Sequence, residues 1–437
     1  MTRKKSLIVL FIILGLSILL ISKVMGPGGS PRAGSNFGKD TFAKTSDGLA
    51  DNEERLIHLA VCMKPEEYEA LKQWTEQYSA AKTGIKVELT NLPLNEAYDI
   101  LKKASQLGEA PDLMLLNNDW VNEFAALGYL QPMDEWLSND QQAQRLPELM
   151  DQVKWNGYLW GIPKDVDPYI LAWNKQKAEE LQVDHAPLTA EELLQWNEKF
   201  MNPEEKQYGV YYHPDDPYSL LSLLSALGVP FSEGVNPLAK LDDPETMHSL
   251  ESFFNPKEKS WDPKVFQTNF PLPTKDWDPW EQLSSGNIAA MITTISDYKL
   301  HENDKIALSA LPMVTEGAGQ TGTWLKGRSY AISSRAGQEE AVIELLQELT
   351  SLGTEMKLWG EAKTLPAYVS AFMTEELRND PSFKSYTWLV EQGYMLPVQI
   401  DSAKKLHALA AEMEALRQGE QDFSAFTDKA ASLWKKE

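Results

Sequence analysis

The chain has 437 residues, with 41 Lys or Arg against 64 Asp or Glu, a net charge of −23. That balance argues against nucleic acid and anionic membrane surfaces as partners. The length suffices for two domains, hydrophobic residues at 43% supply a large core, and a single cysteine, Cys62, excludes an internal disulfide.

The chain opens on Arg3, Lys4 and Lys5, followed by an apolar run from Leu7 to Ile21. A cationic flank before such a run is the pattern of a chain entering a membrane with its N-terminus left inside. The rest of the chain is then expected outside the cytoplasm. The run is long for a signal core and short of the roughly 20 residues of a comfortable span. No small-x-small cleavage site follows in Ser22, Lys23, Val24, Met25 and Gly26, and no cysteine sits there to carry a lipid. Residues 1–26 are therefore expected to stay as an anchor on the outer face of the cytoplasmic membrane; cleavage would make the protein secreted. Residues 27–52, rich in Gly, Ser, Pro and charge, read as a flexible tether.

Folded pattern begins near Leu56. Arg55 to Met63 reads as a buried strand, and Tyr68, Leu71, Trp74 and Tyr78 fall at helical spacing over 65–82. A second strand is expected over Ile85–Leu89, a helix over Leu94–Leu107 ended by Gly108, and a short buried strand over Leu113–Leu116. This alternation predicts an α/β domain with a parallel sheet. Ligands on such sheets bind at the carboxyl ends of strands, which places Asn117, Asn118, Asp119 and Trp120 at the expected position. Further on, Gly157–Pro163 and Ile170–Trp173 carry strand character around an apparent loop over Lys164–Tyr169. A helix over Thr189–Phe200 is capped by Thr189, with Glu192 three residues on. Tyr208–Tyr212 reads as a strand and Ser219–Gly228 as a buried helix. A loop-rich stretch with helical pieces runs over 232–278. Ile288–Ile292, Ile306–Pro312 and Ser329–Ile332 read as strands, and helices fill the chain from Gly337 onward.

Five segments in order carry a resemblance: TGIKVELTNLP, GEAPDLMLLNNDWVNEFAALGYLQPMDEWL, GYLWGIPKDVDPYILAWNK, GNIAAMITT and LPMVTEG. Together they resemble the extracellular solute-binding proteins of family 1, the maltose-binding-like receptors of ABC importers, from about Leu56 to the end. The resemblance implies a two-lobe periplasmic-binding-protein-like α/β fold, with a hinge and an interlobe ligand cleft, preceded here by an N-terminal hydrophobic helix. It implies a first lobe over 53–165 plus 313–353 and a second over 166–312 plus 354–437. It also implies a carbohydrate ligand, an oligosaccharide by preference, and delivery to ABC permease subunits by a monomer, without cofactor, metal or catalysis. A sensor role feeding a histidine kinase, or a sugar hydrolase with two carboxyls about 5–5.5 or 6.5–9.5 Å apart, is the alternative.

Within that resemblance, Asp119 and Trp120 stand where the family offers a polar and a planar group to sugar. A carboxylate accepts charge-assisted hydroxyl hydrogen bonds and a Trp face stacks on sugar C–H groups. Asp167 matches the family's acidic ligand residue before LAWNK, with Asp165 beside it. Asp216-Pro217-Tyr218 resembles the acid–Pro–Tyr element of the sugar site. From the residues alone, Trp277 and Trp280 in KDWDPW could form a sugar platform, and Trp324 in a Gly-rich loop is a further cleft candidate. The acidic candidates disfavour strongly anionic ligands. His213 with its two aspartates lacks a second His at ligand spacing, so no metal is expected. Gly317, Gly319 and Gly322 spell a dinucleotide fingerprint, but a strand-like segment follows where that motif needs a helix.

Overall fold

A computed structural model describes residues 55–229, 236–238, 241, 243–257, 261–312 and 322–435. The expected anchor and tether, and Gly317 and Gly319, lie outside the described residues.

The strands are β1 (Arg55–Val61), β2 (Ile85–Asn91), β3 (Leu113–Asn117), β4 (Lys154–Trp155), β5 (Tyr158–Leu159), β6 (Ile162–Asn174), β7 (Tyr208–Tyr211), β8 (Ile288–Thr294), β9 (Ile306–Ser309), β10 (Leu325–Ile332) and β11 (Leu365–Pro366). The strands pair in the continuous order β2-β1-β3-β10-β6-β8-β7, with β9 and β11 also paired to β6. β1 lies parallel to β2 and β3, as the strand–helix alternation predicts. β10 is antiparallel to both β3 and β6 and makes the sheet mixed.

The helix Pro65–Ala81 buries Leu71 and Tyr78 at the predicted spacing, and Trp74 stacks on Tyr78 at 5.3 Å. The helix Ala97–Leu107 ends at Gly108, whose φ of 73° is the left-handed conformation open to glycine. Thr189 caps the helix Ala190–Phe200, accepting from the backbone N–H of Glu192.

β6 is the element that organises the molecule. Its first half, Ile162 to Pro168, pairs with β10 from Tyr330 back to Leu325. Its second half, from Tyr169, pairs with β8 and β9. One strand thus leaves a sheet built on β1–β3 and enters another built on β7–β9. The change of partner falls at Pro168, which has no N–H to give, and the N–H of Tyr169 then donates to the carbonyl of Trp324 at 2.9 Å.

Two expectations are corrected here. Lys164–Tyr169 is not a loop but the middle of β6, and β10 begins at Leu325 rather than Ser329. Both stretches hid because charges replace the apolar pattern. Lys164 and Asp165 are buried in β6, where Lys164 pairs with Asp165 and Glu67 and Arg328 of β10 pairs with Asp165; Lys326 of β10 pairs instead with Asp216.

Gly209 in β7 is fixed by close approach. A Cβ there would stand 2.5 Å from both the Cα and the carbonyl O of Asn197, whose side chain binds the Val210 N–H and the Phe253 carbonyl. Gly209→Ala is expected to cost about 1–3 kcal/mol by overpacking, read as a lower urea midpoint at unchanged slope.

Candidate ligand cleft

At the change of sheets lies a cleft of about 550 Å³, within the range of about 300–1,000 Å³ usual for small-molecule sites. Its walls come from chain just past β1, β3, β7 and β8, from the middle of β6, from β10, and from the helix Ser402–Gln418. Those first four segments follow the carboxyl ends of their strands, as the α/β rule requires. Of the predicted site residues, Asp119, Trp120, Asp165, Asp167, Asp216 and Tyr218 line the cleft. Trp277 and Trp324 do not. Trp324 is 1% exposed and donates to the Ser225 hydroxyl, and Trp277 packs on Tyr208 and Tyr211. A Gly-rich loop suggested an open aromatic at Trp324; apolar area drew that indole into the core instead, while Trp277 is half-buried against the core's edge.

Asp119 stands in the first turn of the helix Asn118–Ala126. Burial pushes its carboxyl up to about 6, against the pull of backbone hydrogen bonding and Lys326. The Tyr218 hydroxyl donates to it at 3.5 Å, joining chain past β3 to chain past β7. Trp120 is 6% exposed and meets Tyr98 in a T-shaped contact at 5.4 Å, so most of its surface is already packed.

Asp216 caps the helix Pro217–Ala226 through the Tyr218 N–H at 3.0 Å. It also accepts from the Tyr169 hydroxyl and from Lys326, at 3.0 and 3.1 Å to its two oxygens. Burial would raise this carboxyl, but Lys326 and Tyr169 outweigh it and hold it low. The Tyr169 and Tyr218 rings lie parallel at 6.2 Å, each with the Lys326 ammonium 5.0 Å from its centroid.

Asp165 belongs to a four-charge network. Lys164 donates to Asp165 at 2.8 Å and to Glu67 at 2.7 Å; Arg328 binds Glu67 through both terminal nitrogens, at 2.7 and 2.9 Å, and Asp165 at 2.5 Å. Two carboxylates and two cations cancel. Burial works to raise both acids, yet Arg328 and Lys164 hold Asp165 at about 2 and Glu67 below its ordinary value. Asp167 accepts from the Ser296 N–H at 3.0 Å and hydroxyl at 2.5 Å, tying β6 to the helix Ile295–His301. Burial raises its carboxyl, and those two bonds only partly offset it.

Sequence reasoning missed Glu67, Lys64, Asp297, Lys326 and Arg328, all on the cleft wall. The usable signal was the charge pair two residues apart in LKGRS, one face of a strand whose other residues are buried. These cations temper the acidic cleft expected from the aspartates alone.

Two sheets sharing one crossing strand, with a cleft at the crossing, make a two-lobe α/β architecture. The model of the bacterial extracellular solute-binding protein family matches residues 73–385. The chain belongs to that family, whose members work outside the cytoplasm. It is similar to a maltotriose-binding protein of Pyrococcus abyssi, 23% identical over 342 residues, 77% of this chain and 71% of that one. Among solved structures, a maltose-bound MalE3 of T. maritima superposes with a TM-score of 0.73 at 20% identity, covering 86% of this chain and 98% of that chain. A maltose/maltodextrin-binding domain from Bdellovibrio bacteriovorus, bound to maltotriose, gives 0.71 at 19%, covering 86% and 98%. At these identities the structural likeness speaks for the fold alone.

Proposed function

We propose that the protein captures a carbohydrate of oligosaccharide size between its lobes and delivers it to the permease of an ABC importer, doing no chemistry on it. The observation that carries this reading is the cleft at the crossing, where Asp119, Asp167 and Asp216 stand with Trp120, Tyr169 and Tyr218. Carboxylates and tyrosine hydroxyls match sugar hydroxyls, and the aromatic rings match sugar C–H faces. The maltotriose and maltose named for the similar proteins point to the same ligand class. Asp165 and Asp216 are already committed to cations, which suits binding better than the acid–base pair of a hydrolase.

In this reading Asp119, Asp167, Asp216, Trp120 and Tyr218 contact the ligand, and Asp165 acts through Arg328. Residues 53–165 plus 313–353 form one lobe and 166–312 plus 354–437 the other. Residues 1–26 hold the receptor, as a monomer, to the outer face of the membrane through the tether 27–52.

Thermal unfolding against a panel of oligosaccharides, amino acids and polyamines tests the reading. A ligand at about 100 times its dissociation constant stabilises the wild type by about 2.7 kcal/mol, a clear rise in midpoint. Asp119→Ala and Trp120→Ala are each expected to abolish that rise. A rise with an amino acid or polyamine but with no sugar would overturn the carbohydrate assignment, and consumption of the ligand would overturn the binding-only one.

A further inference from the structure

Lys64 and Asp297 face each other across the cleft. Lys64 lies three residues past the end of β1 and stands at the N-cap of the helix Pro65–Ala81, where its side chain takes no part in capping. Asp297 lies in the first turn of the helix Ile295–His301, just past β8. Their side chains form an ion pair between residues 233 apart in sequence. β1 pairs with β2 and β3, whereas β8 pairs with β6 and β7. The two carriers therefore belong to different sheets, joined through β6.

Among the described residues, each of the two has the other as its one ion-pair partner. They are 38% and 21% exposed, so neither carries the full cost of burying a charge. Both line the cleft wall. Ser296, next to Asp297, is bonded to Asp167 of β6, which fixes the helix start to the crossing strand. Lys64 has no such tie to β6, so an opening rotation about β6 draws it away from Asp297.

We infer that the Lys64–Asp297 pair is an interlobe clasp, present in the closed form and absent in the open one, which sets how much of the ligand-free receptor is closed and how long a bound ligand stays. A contact made in one of two conformations shifts their ratio by its own free energy and needs no ligand to do so. The inference rests on capture of a solute between two lobes, but not on which solute.

The test reads lobe separation directly in the full chain. Spin labels are placed at Leu107→Cys and Leu188→Cys, which are 57% and 59% exposed, in a Cys62→Ser background. The parent is expected to show a mainly short distance. Lys64→Glu and Asp297→Lys should each raise the long-distance fraction relative to the short one by about fivefold, and added salt should shrink that difference. The reversed pair, Lys64→Glu with Asp297→Lys, should restore the parent distribution. The neutral variants Lys64→Met and Asp297→Asn should act alike, which covers misfolding of a reversal. With maltotriose as probe, each single variant should also release ligand faster by tryptophan fluorescence. Unchanged distances in the singles, or no recovery in the reversed pair, would overturn the clasp. A chain that binds no maltotriose would count against the carbohydrate reading, while the label distances still decide the clasp.

Discussion

Arg145→Ala is expected to lower the unfolding free energy by about 3–5 kcal/mol, and by more at about pH 8 than at about pH 5.5. The Arg145 side chain is 1% exposed. One terminal nitrogen donates to the Pro163 carbonyl at 2.8 Å and to Glu355 at 3.0 Å; the other donates to the Thr350 carbonyl at 2.7 Å and the Tyr368 hydroxyl at 3.3 Å. The guanidinium also lies 4.4 Å from the centre of the Tyr368 ring. It thus fastens the start of β6 to chain near 350, 355 and 368. Truncation strands two buried carbonyls and leaves Glu355 without its cation.

The pH dependence follows from Glu355. Burial pushes its carboxyl up to about 7, although Arg145 and the Ala367 N–H, at 2.8 Å, pull the other way. A carboxyl raised by folding contributes stability that is present below its ordinary value of 4.5 and lost as pH rises through about 7. Without Arg145 the folded-state value climbs further, so the loss continues to higher pH. Urea unfolding at the two pH values checks this; an equal deficit at both would show that Glu355 does not carry the charge effect.

What could be read in the sequence was whatever hydrophobic period could carry. The helix Pro65–Ala81, the capped helix Ala190–Phe200 and the parallel trio β1–β3 each repeat apolar residues at their own spacing, and each lies within a few residues of its expected bounds. Asp119, past β3, was legible because strand ends on α/β sheets are where ligands sit, and Asp216, past β7, through its likeness to the acid–Pro–Tyr element. The middle of β6 was not, because Lys164 and Asp165 look like solvent-facing turn residues until Glu67 and Arg328, distant in sequence, are brought to them. Periodicity cannot display a burial that depends on charge cancelling across three separate places in the chain. The same limit explains the tryptophans. Nothing local in GTW distinguishes an open platform from Trp324 donating to Ser225, 99 residues away.

That four-charge network sets the second large effect. Arg328→Met should cost about 3–5 kcal/mol at neutral pH, because it leaves Glu67 and Asp165 with Lys164 alone and a net negative charge in a buried place. In the parent, Asp165 is held at about 2 against an ordinary 3.8. A carboxyl depressed by folding contributes stability that is present above its ordinary value and lost as pH falls through the folded one. For Asp165 that amounts to about 2–3 kcal/mol, lost between about pH 4 and pH 2. With Arg328 gone the burial that raises both carboxyls is no longer outweighed, and they take up protons at higher pH. The stability gap between variant and parent should therefore narrow on acidification. Arg328→Lys should fall between the two, since an ammonium keeps the charge but cannot hold Glu67 with two parallel bonds while also reaching Asp165. Denaturant midpoints over this pH range are the measurement. A gap that stays constant or widens would mean that Arg328 stabilises the floor of the cleft by packing its side chain, and that the cancellation of charge across β6 and β10 is not what holds these two strands together.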